Sequence, residues 1–508
     1  MSTKPNIVYI FSDQHRGDSM GCVGHPAIIT PNLDRLSGSG VTFTRCCTNS
    51  PLCMPARASM MTGQYVCEHG VWNNLAQADP TGPSHVRNIR DAGYHTALIG
   101  KTHLWIHDSW VRGDRYTHAR DFIPVQNDWG FEDVHELHGP LASIRNDSEY
   151  TDYLAQKGLL ETHRNYQAEY YASWAAGKAK PWEEPPCPLP DQDHLDSYTG
   201  RRAVEWIQNY EGEKPFYLQI LFPGPHDPFD SPAKYRQMYN PQDIPPAILN
   251  LPGDPQPLYV QGVLRWSGIQ DMTAEQSQIL RSFYYAKITL IDEYIGKIVN
   301  ALEEKGLADT TWIVYNSDHG ELAGDHMMSH KIVFYEGALR IPCIFKPPGG
   351  VTGWQTRALA DHLDIAVSFI DIAGGKPLAD SEGRSLLPQI NSGPNAPDAQ
   401  EGKEVVFSEV VGFTMARTDR YKLAAEAVTL KPVELFDCEQ DPDELHNRVN
   451  DPGLEAVREE IIENYLRPHR RRLDESKYDN FLETEARRMK SGRGPLADKK
   501  LQPEKGGR

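Results

Sequence analysis

The chain contains no apolar run long enough to cross a membrane. Within its 508 residues, no uninterrupted apolar stretch approaches the roughly 20 residues that a membrane-spanning helix needs. The first apolar segment, at residues 6–11, is too short for the hydrophobic core of a signal peptide, and no small-residue cleavage site follows it. We therefore interpret this segment as a first β-strand and expect a cytoplasmic protein with no membrane partner.

Cysteine is scarce, and its spacing carries no zinc or disulfide pattern. The eight cysteines lack the short paired spacings of a zinc site, and a chain of this length does not depend on a disulfide framework. This usage fits a reducing compartment. The cysteines occupy positions 22, 46, 47, 53, 67, 187, 343 and 438.

Positive charge is in deficit. Lysine and arginine total 52 against 70 aspartates and glutamates, which gives a formal net charge of −18. This balance argues against nucleic acid or an acidic membrane surface as a general partner. The balance is still compatible with a small anionic substrate, because a local cluster of cations and a bound metal can reverse the electrostatic field inside one cleft.

Apolar strand candidates alternate with helical stretches up to about residue 375. This alternation predicts an α/β fold built around a large, mostly parallel sheet flanked by helices. Strands are expected near residues 5–11, 41–45, 94–99, 215–222, 311–316 and 341–346, and helices near 31–38, 55–63, 84–92, 197–211, 273–305 and 361–373.

The chain is long enough for two units. A stretch rich in Gly, Pro and Asp at residues 375–402 suggests a boundary near 390, with a large α/β domain at 1–390 and a smaller α+β subdomain at 391–508. The second unit has antiparallel strands, a helix and a charged tail. From Pro468 this tail is either partly disordered or an arm on a neighbouring subunit. We expect a homo-oligomer.

Polar pairs follow two of the expected strands. Asp13-Gln14 comes after the first strand, and Asp318-His319 comes after the strand near 311–316. Ligand-binding groups in open α/β sheets gather at the carboxyl ends of strands, and a carboxylate there is well placed for a hard cation. The alternative is an aspartate that only caps the next turn.

Cationic and imidazole side chains follow two further strands. Lys101 and His103 are two residues apart, so on an extended chain both side chains point the same way and can face one pocket. His226 follows the strand near 215–222, and its imidazole suits proton transfer near neutral pH. The alternatives are a solvated lysine and ordinary packed histidines.

The most informative stretch surrounds Cys53. Its Cys-Met-Pro-Ala-Arg core at residues 53–57 leads into small residues and Thr62-Gly63. This pattern resembles the signature of the sulfatase family, which depends on formylglycine and lies in the alkaline phosphatase superfamily. A short motif can arise by chance, but similar segments surround it in family order over roughly residues 5–375. The resemblance implies an alkaline phosphatase-like sandwich and a hydrolase of sulfate esters.

The resemblance also implies the chemistry of the site. In that family a formylglycine-generating maturation enzyme oxidises the cysteine to an aldehyde, and the hydrate of this aldehyde is the nucleophile. Cys53 would be the precursor. One divalent metal would be bound. The oxygen-rich ligand set favours Ca²⁺, and the single imidazole ligand makes Mn²⁺ the alternative. The implied metal ligands are Asp13, Gln14, modified Cys53, Asp318 and His319.

The same resemblance assigns roles to the catalytic residues. Arg57 would stabilise the attacking alkoxide made from Cys53. Lys101 and Lys331 would neutralise the sulfate oxygens. His226 would protonate the leaving group, and His103 would act as the base that frees sulfate.

Two branches of the superfamily remain open. Gln14 and His319 depart from the commonest arylsulfatase pattern and resemble the choline sulfatase and phosphonate monoester hydrolase branch, whereas Lys101 and His103 favour sulfate. Sulfate monoesters are therefore the expected substrates, and phosphonate monoesters or phosphodiesters are the alternative. The motif at Cys53 argues against a mutase or pyrophosphatase, and the full set of polar groups argues against a non-catalytic binding protein.

Two long segments, at residues 108–196 and 225–270, have weak periodicity and are rich in Pro, Asp, Trp and Tyr. We expect them to be insertions that build substrate-specific walls. Choline, aryl and sugar sulfates all fit this expectation. The aromatic residues that could line such a wall, or simply pack, are Trp105, Trp110, Trp129, Trp182 and Phe229.

Overall fold

An eight-stranded sheet forms the centre of the fold in the computed structural model, which describes residues 4–106, 118–251 and 256–490. Its strands are β1 (Asn6–Asp13), β2 (Val41–Cys47), β3 (His95–Gly100), β4 (Asp133–Glu136), β5 (Phe216–Pro225), β6 (Thr311–Ser317), β7 (Cys343–Lys346) and β8 (Trp354–Asp361). Their spatial order is β4-β3-β5-β1-β6-β7-β2-β8. Only β7 among them runs antiparallel to its neighbours. The predicted α/β fold with a large, mostly parallel sheet is confirmed.

All six strands expected in this sheet are present, and two more strands extend its edges. Among the described strands, β4 pairs only with β3, and β8 pairs only with β2. β4 is four residues long and begins and ends on the acidic residues Asp133 and Glu136. Such a short polar edge strand has no hydrophobic alternation by which the sequence could reveal it.

The sheet is buried on both faces. Along β1, Val8 and Ile10 join one apolar cluster, whereas Ile7, Tyr9 and Phe11 join another. Successive side chains of a strand point to opposite faces. The nearly continuous apolar sequence of β1 is therefore what a parallel sheet covered by helices on both sides requires.

Helices cover these faces and also occupy the predicted insertions. In the described ranges, no helix combines the length and the apolar character needed to span a bilayer. The helices are α1 (Pro31–Gly38), α2 (Cys53–Thr62), α3 (Val66–His69), α4 (His85–Asp91), α5 (Ile123–Trp129), α6 (Pro140–Ser143), α7 (Glu149–Gln156), α8 (Leu160–Ala175), α9 (Leu195–Asn209), α10 (Ala233–Arg236), α11 (Leu258–Ser267), α12 (Ala274–Glu304), α13 (Glu336–Leu339), α14 (His362–Ala373), α15 (Leu387–Ser392), α16 (Glu455–Ile461), α17 (Arg467–Arg470) and α18 (Glu475–Lys490).

Helix α12 is the longest described, with 31 residues, and it confirms the helix predicted near 273–305. Its start is fixed by a capping box, in which the Thr273 hydroxyl accepts a hydrogen bond from the Gln276 N–H at 3.2 Å and the Gln276 side chain accepts one from the Thr273 N–H at 2.9 Å. Its buried face lies in the apolar cluster that contains Val8 and Ile10.

A second sheet follows, as the C-terminal pattern predicts. Its four antiparallel strands lie in the order β12-β11-β10-β9. The apolar cluster beneath it also takes in Leu52, Tyr65 and Trp72 from the N-terminal part of the chain. The domain boundary near 390 stays a prediction. The strands are β9 (Val406–Val410), β10 (Phe413–Arg417), β11 (Tyr421–Glu426) and β12 (Pro432–Asp437).

The charged tail docks on its own chain as far as it is described. Tyr478 and Phe481, on α18, pack against Trp72 with ring centroids 5.2 and 5.9 Å away. The Asn73 side chain donates a hydrogen bond of 2.6 Å to Glu485. The expected disorder is wrong for this helix, because its apolar stripe packs against the N-terminal half of the chain, and the arm on a neighbouring subunit stays a prediction. The homo-oligomer stays a prediction.

Four adjacent parallel strands bring the predicted site residues to one edge. β3, β5, β1 and β6 are neighbours in the sheet. The carboxyl ends of parallel strands lie at the same edge, so the segments that follow these strands meet there. Asp13 ends β1, Lys101 follows β3, His226 follows β5 and Asp318 follows β6.

We predict that Gly100→Ala destabilises the fold because Gly100 turns the chain sharply at this edge. Its φ is +118°, and an added Cβ would lie 2.7 Å from the backbone carbonyl carbon of Leu221 on β5. Strain and overlap together should lower the free energy of unfolding by about 3 kcal/mol, measured by urea denaturation.

Gly158→Ala is the matched control. Gly158 also has a positive φ, +71°, but no atom of the described residues lies within 4 Å of its added Cβ. This change should cost about 1 kcal/mol from backbone strain alone. Equal losses in the two variants would contradict the role given to the close approach of β3 and β5.

Candidate active site

Cys53 is the first residue of α2, and all ten residues of this helix are buried. Cys53 lies beside Asp13 and Asp318 at the carboxyl edge of the sheet, so the free N–H groups of the helix, and the positive end of its dipole, lie at that edge. Leu52 offers no side-chain cap, and the Asn74 side chain instead accepts a hydrogen bond from the Met54 N–H at 3.0 Å. Asn74 thus supports the start of the helix that carries Cys53.

Four of the predicted metal ligands converge around this helix start. The ligand atoms of Asp13, Cys53, Asp318 and His319 all lie within 4.8 Å of one another, and the four side chains are buried. The Cys53 sulfur lies 3.1 Å from His319 Nε2 and 3.6 Å from Asp13 Oδ1. Two carboxylates, an imidazole and a fourth side chain in a buried cluster fit a divalent cation.

His319 is oriented for ligation. Its Nδ1 lies 2.9 Å from the carbonyl oxygen of Gly320, so the proton belongs on Nδ1 and Nε2 presents its lone pair to the cluster. Burial lowers the pKa of His319 to about 4, which keeps the imidazole neutral near pH 7. A neutral imidazole is the form that binds metals.

Two cations neutralise the carboxylates of this cluster. Arg57, one turn along α2 from Cys53, bridges Asp318 at 2.9 Å and Asp13 at 3.0 Å. The Lys101 ammonium lies 2.6 Å from Asp13. Burial favours the protonated acid, but the charges of Lys101 and Arg57 hold the pKa of Asp13 well below its usual range.

Gln14 and Lys331 meet beside the cluster. The Lys331 ammonium donates to the side-chain oxygen of Gln14, and the Gln14 amide nitrogen donates to Glu321. Gln14 has a φ of +78°, a strained conformation that its backbone hydrogen bond of 2.9 Å to Asp318 holds in place. Gln14 as a metal ligand and Lys331 as an anion-binding residue stay predictions.

Two histidines complete the set expected from the sequence. His226 Nδ1 lies 2.8 Å from the carbonyl oxygen and 3.1 Å from the carboxylate of Asp227, so the proton of the neutral ring belongs on Nδ1. Burial lowers the pKa of His226 to about 3. Burial, with Lys101 and Arg57, also lowers the pKa of His103 well below its usual value. Both imidazoles are therefore neutral while no anion is bound.

Sequence reasoning missed two residues next to His226 and Lys331, namely Asp227 and His330. Asp227 also lies 3.2 Å from His330 Nδ1. The His330 ring stacks on Trp266 at 4.2 Å and meets the edge of Trp174 at 4.7 Å. Asp227 and His330 adjoin His226 and Lys331 in sequence, which was the only available signal. Their mutual contact joins segments that are far apart in the chain.

The aromatic residues expected to line a substrate wall are mostly core residues. In the described structure they are between 0 and 7% exposed, so packing accounts for them. Trp110 lies outside the described residues. The aromatic groups found next to the site come instead from α8 and α11, both within the predicted insertions. The buried residues are Trp105, Trp129, Trp182 and Phe229.

Two family models match the chain. The model described as sulfatase matches residues 5–375. The model for the C-terminal region of N-sulphoglucosamine sulphohydrolase matches residues 324–471. The first of these covers the whole stretch over which the site residues are spread.

Known relatives are similar along nearly their full length. An arylsulfatase of Clostridium perfringens is 28% identical over 500 residues, which cover 91% of this chain and 93% of the relative. A choline-sulfatase of Rhizobium meliloti is 28% identical over 473 residues, with 88% and 83% covered. The structure of a phosphonate monoester hydrolase from Silicibacter pomeroyi superimposes with a TM-score of 0.74 at 25% identity, covering 93% of this chain and 96% of that one.

The fold, the cluster at the sheet edge and these comparisons agree. The sulfatase model spans well over half of the 508 residues, and the relatives include enzymes named for sulfate and for phosphonate esters. The family resemblance of the sequence is thereby confirmed. The chain belongs to the sulfatase family of the alkaline phosphatase superfamily, and it is a hydrolase.

Proposed function

We propose that this enzyme hydrolyses sulfate monoesters to an alcohol and inorganic sulfate. The observation that carries the proposal is the position of Cys53. It lies within the Cys-x-Pro-x-Arg core, at the buried start of α2, with its sulfur among Asp13, Asp318 and His319. This position suits a group that attacks a sulfur atom held by surrounding cations.

Two groups would complete the site. Conversion of Cys53 to formylglycine by a maturation enzyme would supply the attacking oxygen through the aldehyde hydrate. A divalent ion, Ca²⁺ by the oxygen-rich donors or Mn²⁺ by the imidazole, would supply charge neutralisation and Lewis acidity. Its proposed ligands are Asp13, Gln14, Asp318, His319 and the modified residue at 53.

The cations of the chain would bind and orient the sulfate group. Arg57 and Lys101 lie against the carboxylates of the cluster, and Lys331 is hydrogen-bonded to the neighbouring Gln14. Fixed positive charges in a buried site need no reorganisation during the reaction, so they stabilise the charge that develops on the sulfate oxygens.

The two histidines would handle protons. Nε2 of His226 would face the substrate, and an anionic ester beside it would raise the pKa of this imidazole, so that it could protonate the leaving oxygen. His103 is neutral and partly exposed, which suits a base that accepts a proton when sulfate is released. Asp227 would fix the tautomer of His226 through Nδ1.

A phosphonate monoester or phosphodiester hydrolase is the second candidate. Gln14 and His319, and the structural similarity to a phosphonate monoester hydrolase, favour it. Lys101 and His103 favour sulfate. The natural alcohol, whether choline, aryl or sugar, stays open. We further propose a cytoplasmic enzyme, because all eight cysteines are described and none is bridged.

The proposal predicts a strong preference for sulfate over phosphonate. Matured enzyme should cleave a nitrophenyl sulfate at least about 100-fold faster than a nitrophenyl phosphonate, a difference of roughly 3 kcal/mol in barrier. The measurement is kcat/KM for both esters, together with the mass of the peptide that contains residue 53.

Cys53→Ala is the blank for this experiment. This variant should fold and lose nearly all turnover of both esters. Faster phosphonate cleavage would favour the second candidate. Full activity from protein in which residue 53 is an unmodified thiol would contradict formylglycine chemistry altogether.

We predict that Asp227→Asn impairs turnover according to the leaving group. A general acid accelerates the reaction roughly 10²- to 10⁴-fold when the leaving group is poor. The variant should therefore lose about tenfold or more in kcat on an alkyl sulfate, and less than about threefold on a nitrophenyl sulfate, whose leaving group needs no proton.

The pH profile supplies a second measurement. Asp227 raises the pKa of His226 against the effect of burial, so its neutralisation should move the alkaline limb of alkyl sulfate turnover to lower pH. Equal losses on both substrates, with an unshifted profile, would show that Asp227 only supports the fold.

A further inference from the structure

A second cluster of metal-binding side chains lies outside the active site. Cys67 on α3, Glu409 on β9 and His469 on α17 meet at the junction between the N-terminal part of the chain and the second sheet. All three are buried, with at most 4% of each residue exposed. Their positions differ by 342 and 402 in sequence, so no spacing motif could reveal them.

The distances between the ligand atoms suit a tetrahedral zinc ion. The Cys67 sulfur lies 3.7 Å from His469 Nε2, and His469 Nε2 lies 3.2 Å from Glu409 Oε1. Zinc bonds of about 2.3 Å to sulfur and about 2.0 Å to nitrogen or oxygen place such atoms about 3.5 and 3.3 Å apart at a tetrahedral angle.

The side chains are held in these positions by their neighbours. The second oxygen of Glu409 accepts the Cys67 backbone N–H at 2.8 Å, which directs Oε1 to the other two ligand atoms. The His469 ring lies parallel to Phe407 at 4.0 Å and against the edge of Tyr65 at 4.8 Å. A rigid, preorganised ligand set loses little entropy when it binds an ion.

The charge balance also favours a cation. Within the described part of the chain, no lysine or arginine forms an ion pair with Glu409, and His469 is its only ion-pair partner. A buried carboxylate needs a compensating charge, and a bound cation supplies it when His469 is in the neutral form that ligates a metal. The cluster of Cys187, His194 and Asp230 differs, because the Lys287 ammonium already lies 3.0 Å from Asp230.

We propose that Cys67, Glu409 and His469 form a zinc site that is separate from the catalytic centre. One sulfur, one imidazole nitrogen and one carboxylate oxygen select Zn²⁺ over Ca²⁺ or Mg²⁺, and three protein ligands leave the fourth tetrahedral position to a ligand from outside the protein. The ion fastens α3 to the second sheet. It also supports α2, because His69 on α3 lies 3.0 Å from the Ser59 hydroxyl.

Cobalt substitution in the full-length chain tests this site. Co²⁺ bound to a thiolate gives an intense charge-transfer absorption, which carboxylate and imidazole ligands alone do not give. The parent is Cys53→Ala, because it removes the active-site thiol. This folded parent should develop the band as Co²⁺ is added, and Zn²⁺ should abolish it by displacement. A folded parent without the band at excess Co²⁺ overturns the proposal.

Variants in the same background locate the ion. Cys67→Ser should abolish the band. The matched control is Cys187→Ser, in the cluster that contains Lys287, and this variant should retain the band. Glu409→Gln keeps the size of the side chain and should weaken the affinity for Co²⁺ at least tenfold. A band that survives Cys67→Ser, or unchanged affinity in Glu409→Gln, overturns the proposal. If Cys67→Ser does not fold, the Co²⁺ band of the parent and the Co²⁺ affinity of Glu409→Gln still test the proposal.

Discussion

The ion pairs made by Arg57 are the constraint on which the site depends. Asp13 and Asp318 follow neighbouring strands and would repel each other if they were ionised without a counter-charge. Arg57 contacts both carboxylates from α2, and Lys101 contacts Asp13 from the end of β3. Removal of one partner from a buried ionic group generally costs about 3–5 kcal/mol, because it leaves an uncompensated charge. The same four groups therefore hold the sheet edge together and set its field.

Sheet topology makes this network compact. β3, β5, β1 and β6 are consecutive in space although they are distant in sequence, so each contributes one short polar segment to the same edge. The remaining charge comes from α2, whose N-terminus faces that edge. Anions bind readily at such a helix end. A chain with a formal net charge of −18 can thus still gather cations and a helix N-terminus at one edge of its sheet.

The sequence reveals those features that are local. Strand periodicity, the polar residues at the strand ends and the motif at Cys53 predicted the central sheet and the residues that meet there. Side-chain partnerships between distant segments were not predictable. The contact of Asp227 with His330 and the packing of Trp266 depend on where the insertions fold back, which no short-range pattern encodes. The short edge strand β4 was missed because it has no alternation.

The burial of Cys53 has a consequence for how the enzyme is made. Only 1% of this residue is exposed, on a helix that is buried along its whole length. On the formylglycine chemistry proposed above, a modifying enzyme would not reach this side chain once α2 has packed, so the oxidation would have to precede folding. Folding and maturation would then compete during synthesis. A chain that folded before it was modified would stay inactive unless it unfolded.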